Sequence, residues 1–260
     1  MWKGRRAFGQ ALVCIMLIVS SCRREAAPVP RRYTYQVVAV IPHRPDAFTQ
    51  GLVWDDGVIY EGTGLYGRSS LAKIRPADGQ VIQLVALPPT YFGEGIAILA
   101  DKVYQLTWQE QTAFVYTKGG LDQVSKIQYE GEGWGLTTDG HLLIKSDGSA
   151  NLAFIDPCSF KVIRTIQVRD HKGPVRYLNE LEFVRGRILA NIWQTGLIAI
   201  IDPSDGHVAG YLDISDLWAY QPPGSDVPNG IAYDPSSDQL LVTGKLWSFI
   251  YCLRLDQGLP

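Results

Sequence analysis

The sequence predicts an all-β fold, a five-bladed β-propeller, because one short segment recurs at regular intervals. In each copy a polar or aromatic residue is followed by a second residue, usually glycine, and then by an aliphatic one. The copies start at Gln50, Glu94, Trp134, Asn179 and Asn229, which are 40 to 50 residues apart. Repeats of that length with several short strands are typical of propellers. The 26 glycines and 15 prolines, spread along 260 residues, also favour many turns over long helices.

Each copy continues with a turn and further strands, as a propeller blade requires. The turns that follow the first strand fall at residues 55–56, 100–101, 139–140, 185–186 and 237–238. A third and a fourth strand are recognisable in several copies, for example at 153–155 and 161–164. These strands are apolar on both faces, as expected where blades pack face to face.

The last copy of the repeat is one strand short, since it supplies only three strands and ends at 251–255. The segment 33–40 precedes the first copy and is an unassigned strand. We expect it to complete the last blade, which closes the ring and removes an open sheet edge. Residues 33–260 are then one propeller domain. An open sandwich is the alternative, but the regular repeat favours the propeller.

The first 21 residues have the features of an export signal. Cations precede an apolar run over 11–19 that is too short to anchor the chain in a bilayer. Two serines then precede Cys22, which resembles the cleavage box of bacterial lipoproteins. We therefore expect a periplasmic or cell-envelope protein that is lipidated at Cys22 and meets the membrane only through that lipid. Residues 22–32 would be its tether. An ordinary signal peptide cut nearby is the alternative.

Composition argues against several classes of ligand. The net charge is −2, and the body of the chain has no basic run of the kind that binds nucleic acid. No CxxC motif or His/Cys cluster has the spacing of a zinc site, so we expect no bound metal and no cofactor. The four histidines are interpreted as surface residues. An export signal would permit a disulfide between Cys158 and Cys252, but the sequence does not show whether they pair. We expect a monomer.

Two rings of side chains are expected around one mouth of the central channel, because antiparallel hairpins bring their outer ends together. The first ring is formed by the five residues that start the copies. The second lies where the second strands end, at Thr63, Trp108, Asp147, Trp193 and Lys245. Aromatic walls with a few convergent polar groups are typical of a small-molecule pocket. Each residue also has a structural interpretation: Glu94 as a turn residue, the tryptophans as packing between blades, and Lys245 as a solvated rim residue.

Several motifs in these rings resemble those of the plant-type glutamine cyclotransferases, and the resemblance covers residues 33–255. The segments concerned are 48–52, 60–67, 92–95, 106–108, 133–136, 178–182 and 243–245. The resemblance implies a metal-independent propeller enzyme that converts the N-terminal glutamine of peptides or proteins to pyroglutamate and releases ammonia. It also implies a catalytic carboxylate at Glu94. The substrate-binding residues it implies are Phe48, Gln50, Trp108, Trp134, Asn179, Trp193 and Lys245.

The chemistry of that reaction suits a single carboxylate. The α-amine must lose a proton as it attacks the side-chain amide, and the leaving ammonia must gain one, so Glu94 can carry one proton between them. Aromatic neighbours favour an intermediate pKa for Glu94. Lys245, Asn179 and Gln50 are candidate donors to the oxyanion. A non-catalytic binding propeller of the envelope is the alternative, since fold alone does not give function. A lactonase or quinone-dependent dehydrogenase is disfavoured because the mouth lacks histidine.

Overall fold

A computed structural model describes residues 1–2, 4 and 28–258 of the chain. The expected signal segment and Cys22 fall outside these residues, apart from a few positions near residue 1. Two strands come first, β1 (Arg31–Tyr33) and β2 (Tyr35–Pro42). Among the described residues, no helix is long and apolar enough to cross a membrane.

Residues 49–255 then form the blades, each an antiparallel sheet whose first strand lies innermost. Blade 1 contains β3 (Thr49–Asp55), β4 (Val58–Thr63), β5 (Ser70–Arg75) and β6 (Gln80–Ala86). Blade 2 contains β7 (Gly93–Leu99), β8 (Lys102–Thr107), β9 (Thr112–Thr117) and β10 (Gln123–Gln128). Blade 3 contains β11 (Leu136–Thr138), β12 (Leu143–Lys145), β13 (Asn151–Ile155) and β14 (Val162–Gln167).

A small hairpin leads from blade 3 to blade 4, made of β15 (Arg169–Asp170) and β16 (Gly173–Pro174). Blade 4 contains β17 (Leu178–Val184), β18 (Arg187–Ile192), β19 (Leu197–Ile201) and β20 (Val208–Asp213). A short helix, α1 (Ser215–Ala219), follows. Blade 5 contains β21 (Pro228–Asp234), β22 (Gln239–Gly244) and β23 (Phe249–Leu255). The inner strands β3, β7, β11, β17 and β21 contact one another in a closed ring, which confirms the five-bladed propeller.

The N-terminal strands are divided between two blades. β2 pairs antiparallel with β23 as the outermost strand of blade 5, with Tyr35 opposite Leu255. β1 pairs in parallel with β20 of blade 4. Residues 31 and 32, the last two of the expected tether, belong to β1. The segment expected to close the ring is shifted as well: Tyr33 ends β1, and the strand on blade 5 runs over 35–42. At the break between β1 and β2, the Thr34 hydroxyl donates a hydrogen bond to Asp256 at 2.6 Å.

The repeat glycine has a steric role at the centre of the ring. A Cβ on Gly51 would lie 2.5 Å from the backbone N of Ile96, and one on Gly135 would lie 1.9 Å from the carbonyl oxygen of Asn179. Adjacent inner strands approach so closely there that only glycine fits. In the fourth copy Glu180 takes the place of glycine.

Glu180 replaces this close contact with hydrogen bonds across the channel. Its carboxylate accepts from the backbone N–H of Leu52 at 3.1 Å and from that of Ile231 at 2.8 Å. Inner strands of blades 1, 4 and 5 are thus tied together through one buried side chain. Burial, followed by the charge of Glu182, raises the pKa of Glu180 well above 4.5.

The apolar core lies between the blades. Among the described residues, five clusters of buried side chains occupy the five seams, one between each pair of neighbouring blades. Cys158 is exposed and Cys252 is buried, and they do not form a disulfide with each other.

The interpretation of all histidines as surface residues is wrong for His43. Its ring is buried at the seam between blades 5 and 1, with Nε2 2.7 Å from Glu61 Oε1 and Nδ1 2.7 Å from the carbonyl oxygen of Trp247. Both partners are distant in the sequence, so no local pattern indicates this pairing.

Candidate active site

A cavity of about 260 Å³ opens at the channel mouth where the inner strands begin. It is lined by aromatic rings and a few polar groups: Phe48, Gln50, Phe92, Glu94, Trp108, Trp134, Asn179, Trp193 and Lys245. The set contains Glu94 and all seven residues expected to bind substrate. Three residues of the two rings expected around the mouth do not line this cavity. Asp147 is exposed, the Thr63 hydroxyl is hydrogen-bonded to the Ser70 hydroxyl at 2.8 Å, and Asn229 donates a hydrogen bond to Gln50.

The blade hairpins bring these residues together. Gly93 pairs with Thr107 across β7 and β8, which places Glu94 and Trp108 at the same end of blade 2. Leu178 pairs with Ile192 in the same way and brings Asn179 beside Trp193 in blade 4. The expectation of one shared mouth therefore matches the geometry.

β-bulges direct several of these side chains toward the channel. The pairing register shifts between residues 93 and 96, and Glu94 lies in that interruption. Similar shifts occur at 49–51, 178–181 and 228–231, around Gln50, Asn179 and Asn229. A bulge leaves a residue unpaired and changes the direction of its side chain, which is why bulges are common next to active sites.

Glu94 is a buried carboxylate, and its side chain accepts a hydrogen bond from Gln50 Nε2 at 2.9 Å. Burial raises its pKa well above 4.5, and the charges of Glu132 and Glu110 add to the rise, while Lys245 opposes it. A carboxyl group with a raised pKa can both accept and return a proton near neutral pH.

Lys245 faces the same cavity and is also buried. Its Nζ lies 4.7 Å from the centre of the Phe48 ring, which gives the cation an aromatic neighbour. Burial lowers the pKa of Lys245, whereas the charges of Glu94 and Asp226 raise it. Lys245 and Glu94 thus stabilise each other's charged form across the cavity.

Amide side chains complete the polar part of the site. Gln50 Oε1 accepts from Asn229 Nδ2 at 3.0 Å, so the Gln50 amide is held with its NH₂ toward Glu94. Asn179 is buried, and its Oδ1 has no hydrogen-bond partner among the described residues. An unpaired buried amide oxygen is costly. Asn179 thus lines the cavity with an amide whose oxygen the described protein groups leave unpaired.

The aromatic walls form two groups on either side of Glu132. Phe92 packs edge-on against Phe48, with ring centres 6.1 Å apart, and against Trp108, with centres 5.6 Å apart. On the other side, Trp134 packs edge-on against Trp193 with centres 5.6 Å apart. Rigid rings of this kind exclude water and fix the shape of a small ligand.

Phe92 and Glu132 were not among the site residues expected from sequence, yet their spacing carries a signal. Phe92 stands two residues before Glu94, as Phe48 stands two residues before Gln50. The same position in the third copy is Glu132, two residues before Trp134. Comparing this position between copies would have pointed to both residues.

Among the residues that the structure describes, no group of three or more His, Cys, Asp or Glu side chains is arranged to hold a metal ion.

Comparison with known proteins gives consistent matches over the propeller. The model of the family described as glutamine cyclotransferase matches residues 11–255. A glutaminyl-peptide cyclotransferase of Arabidopsis thaliana is 42% identical over 229 residues, which cover 86% of this chain and 72% of the plant protein. The crystal structure of a glutaminyl cyclase from Myxococcus xanthus matches with a TM-score of 0.81 and 35% identity, covering 87% of this chain and 98% of that one.

Proposed function

This chain belongs to the glutamine cyclotransferase family, and we propose that it cyclises the N-terminal glutamine of peptides or proteins, with Glu94 as the proton carrier. The observation that carries the proposal is the position of Glu94. It is a buried carboxylate with a raised pKa, it is set in a β-bulge, and it faces a cavity of about 260 Å³ with aromatic walls.

The first task of the site is to fold the glutaminyl group so that its α-amine meets its own side-chain carbonyl carbon. Both reactants belong to one molecule, so alignment supplies much of the acceleration. The rings of Trp108, Trp134 and Trp193 surround the space available for this conformation. A buried, partly apolar cavity also disfavours the ammonium form of the substrate, and Lys245 adds like-charge repulsion. The attacking amine is therefore neutral.

Proton transfer then accompanies attack. The amine nitrogen forms a bond to the amide carbon, and Glu94 accepts the proton that the nitrogen loses. Glu94 returns this proton to the amide nitrogen as the old carbon–nitrogen bond breaks. The products are the pyroglutamyl peptide and ammonia, and Glu94 is again a carboxylate. The hydrogen bond from Gln50 leaves the second carboxylate oxygen of Glu94 for this transfer.

Developing negative charge on the carbonyl oxygen requires donors. Lys245 lines the cavity with an ammonium group, and Asn179 lines it with an amide NH₂ group; both are hydrogen-bond donors. Gln50 is less suited, because its NH₂ already donates to Glu94. We assign oxyanion stabilisation to Lys245 and Asn179.

Ammonia release from a Gln-initiated dipeptide tests the function. The purified protein should release ammonia and form a pyroglutamyl product, and a chelator should leave the rate unchanged. A peptide with internal but no N-terminal glutamine is the control. Absence of ammonia from the Gln-initiated peptide would leave the binding propeller as the better interpretation.

We further propose export and lipid anchoring at Cys22, which rests on the sequence alone because that residue lies outside the described part of the chain. In a bacterium with lipoprotein processing, the protein should partition with membranes, and Cys22→Ser should release it. A soluble wild-type protein that retains the Cys22 thiol would contradict this. We also propose that the mature protein is a monomer, which size-exclusion chromatography with light scattering tests.

A further inference from the structure

Glu132 does not line the cavity, but it contacts two of the cavity's walls. Its Oε2 accepts hydrogen bonds from Trp108 Nε1 at 2.8 Å and from Trp134 Nε1 at 2.9 Å. Its Oε1 accepts from Gln109 Nε2 at 3.1 Å. One carboxylate oxygen therefore binds indole N–H groups from two neighbouring blades.

The backbone around Glu132 is itself held in place. The carbonyl oxygen of Glu132 accepts from Lys145 Nζ at 2.6 Å, and the N–H of Gly133 donates to the carbonyl oxygen of Trp108 at 3.0 Å. Lys145 is buried, with Nζ 5.2 Å from the centre of the Tyr129 ring. These hydrogen bonds hold the backbone at residues 132 and 133, and so restrict the position of the Glu132 carboxylate.

The two indoles that Glu132 binds belong to different aromatic groups. Trp108 packs on Phe92, and Trp134 packs on Trp193. The indole N–H groups of Trp108 and Trp134 are connected through Glu132, since both donate to it among the hydrogen bonds of the described residues. Each ring is only half-buried, so its own packing leaves part of its surface free.

Glu132 suits this role chemically. Burial alone would raise its pKa, but hydrogen bonds from Trp134, Trp108 and Gln109 outweigh burial and hold the pKa below 4.5. The side chain is therefore an ionised acceptor at neutral pH, and hydrogen bonds to a charged acceptor are stronger than neutral ones. The equivalent position is aromatic in the first, second and fourth copies of the repeat. In the third copy a carboxylate takes the place of the aromatic side chain.

We propose that Glu132 is a positioning residue: by binding both indoles through one oxygen, it sets the angle between the two aromatic groups and so the shape in which the glutaminyl substrate is held. The inference rests on the proposed cyclisation. It does not require Glu132 to touch the substrate. Since ring closure depends on alignment of the amine with the amide carbon, loosening the walls should reduce the fraction of bound substrate that can react.

The test compares Glu132→Ala and Glu132→Gln with Glu130→Gln. Glu130 is exposed and lies in the same loop, so its variant controls for the change of one unit in net charge, and Glu132→Gln controls for the local charge that acts on Glu94. We expect Glu132→Ala to lower kcat/KM by about 10- to 100-fold, mainly through kcat, because a misplacement on the order of 1 Å costs up to that much. Glu132→Gln should lose less, because its amide oxygen still accepts from the indoles. The melting temperature should change little.

Two further measurements separate positioning from a general structural effect. In ¹⁵N-tryptophan NMR spectra, the indole N–H signals of Trp108 and Trp134 should shift in the Glu132 variants and not in Glu130→Gln. In a protein with both Trp108→Phe and Trp134→Phe, which removes the two N–H donors, adding Glu132→Ala should have little further effect on kcat/KM.

The outcomes distinguish this inference from the proposed function. A wild type that releases no ammonia overturns both. An active wild type whose kcat/KM responds equally to the changes at Glu132 and Glu130 overturns the positioning role alone. The role is also overturned if the indole signals shift while kcat is unchanged, or if Glu132→Ala costs as much in the double-phenylalanine background as in the wild type.

Discussion

Glu61 at the seam between blades 5 and 1 and Glu94 at the channel mouth are both buried glutamates, but their surroundings differ. Glu61 Oε1 lies 2.7 Å from both the Thr49 hydroxyl and His43 Nε2, and Arg44 lies 3.9 Å from Oε2. Glu94 receives a hydrogen bond from one neutral amide.

The difference in partners reverses the effect of burial. For Glu61, burial alone would raise the pKa, but the charge and hydrogen bond of His43, the hydroxyl of Thr49 and the charge of Arg44 bring it below 4.5. For Glu94, burial prevails and the pKa rises. The comparison teaches that burial prevails at a carboxyl group that receives no hydrogen bond from a charged donor, which leaves Glu94 with the raised pKa that suits proton transfer.

The largest expected effect is on the rate at Glu94. Glu94→Gln keeps the size of the side chain but cannot accept the amine proton, so kcat should fall by about 10²- to 10⁴-fold. The melting temperature should stay near that of the wild type. Ammonia release and thermal unfolding check the two parts of this prediction. Near wild-type cyclisation by the variant would assign the proton transfer to another group.

The same substitution at Glu61 should affect stability instead. Glu61→Gln leaves His43 buried without its carboxylate, and breaking a buried ion pair costs about 3–5 kcal/mol. Urea unfolding measures the loss. Below its melting temperature the variant should keep a kcat near that of the wild type, because Glu61 does not line the cavity. A stable but inactive Glu61→Gln would break the comparison.

Lys245 tests the electrostatic side of the comparison. Lys245→Met should lower kcat by at most about 10²- to 10³-fold, the range for a lost oxyanion donor. Because Lys245 opposes the rise in the pKa of Glu94, its removal should raise that pKa further. As the pH is lowered, kcat should therefore fall at a higher pH in Lys245→Met than in the wild type, because Glu94 becomes protonated earlier. Lys102→Met, at an exposed position, is the charge-matched control. An acid limb that does not move would argue against coupling between Lys245 and Glu94.

The smallest effects are opposite trends of stability with pH. The folded-state pKa of Glu61 is below 4.5, so its contribution is present above that pH and is lost as the pH falls through the folded value. The folded-state pKa of His43 is above 6.5, because Glu61 and Trp247 outweigh burial, so its contribution is lost as the pH rises through the folded value. The pair should stabilise the protein most between 4.5 and 6.5.

Glu94 should show the reverse dependence in the acid range. Because its pKa is raised, the folded state binds a proton at Glu94 more tightly than the unfolded state does. The contribution of Glu94 to the free energy of unfolding is therefore present below pH 4.5 and is lost as the pH rises through the folded-state pKa. Relative to Glu94→Gln, the wild type should therefore lose stability as the pH rises above 4.5. Free energies of unfolding measured against pH for wild type, Glu94→Gln and Glu61→Gln give both trends, and parallel curves would contradict the assignment.

The fold could be predicted from sequence because its causes recur. Inner strands approach so closely at Gly51 and Gly135 that glycine is required there, and the regular spacing of such positions indicates the blades. Hairpin pairing then places Glu94 and Trp108 at one mouth. The bulges could not be predicted, since they are interruptions of pairing rather than residue patterns.

The features that sequence reasoning missed depend on contacts between distant residues. The buried His43 ring is hydrogen-bonded to Glu61, 18 residues away, and to the carbonyl oxygen of Trp247, 204 residues away. Glu132 gains its role only when Trp108, 24 residues earlier, is brought beside Trp134. β1 pairs with β20 across most of the chain, and a three-residue strand with two arginines carries no apolar pattern.

The most direct test of the account is an NMR titration of the glutamate side-chain carboxyl carbons in the ¹³C-labelled protein, with signals assigned through Glu94→Gln and Glu61→Gln. We predict that the Glu94 signal titrates well above 4.5 and the Glu61 signal below it. A Glu94 carboxyl group that titrates at or below 4.5 would contradict the claim that burial without a strong donor prepares it to carry the proton.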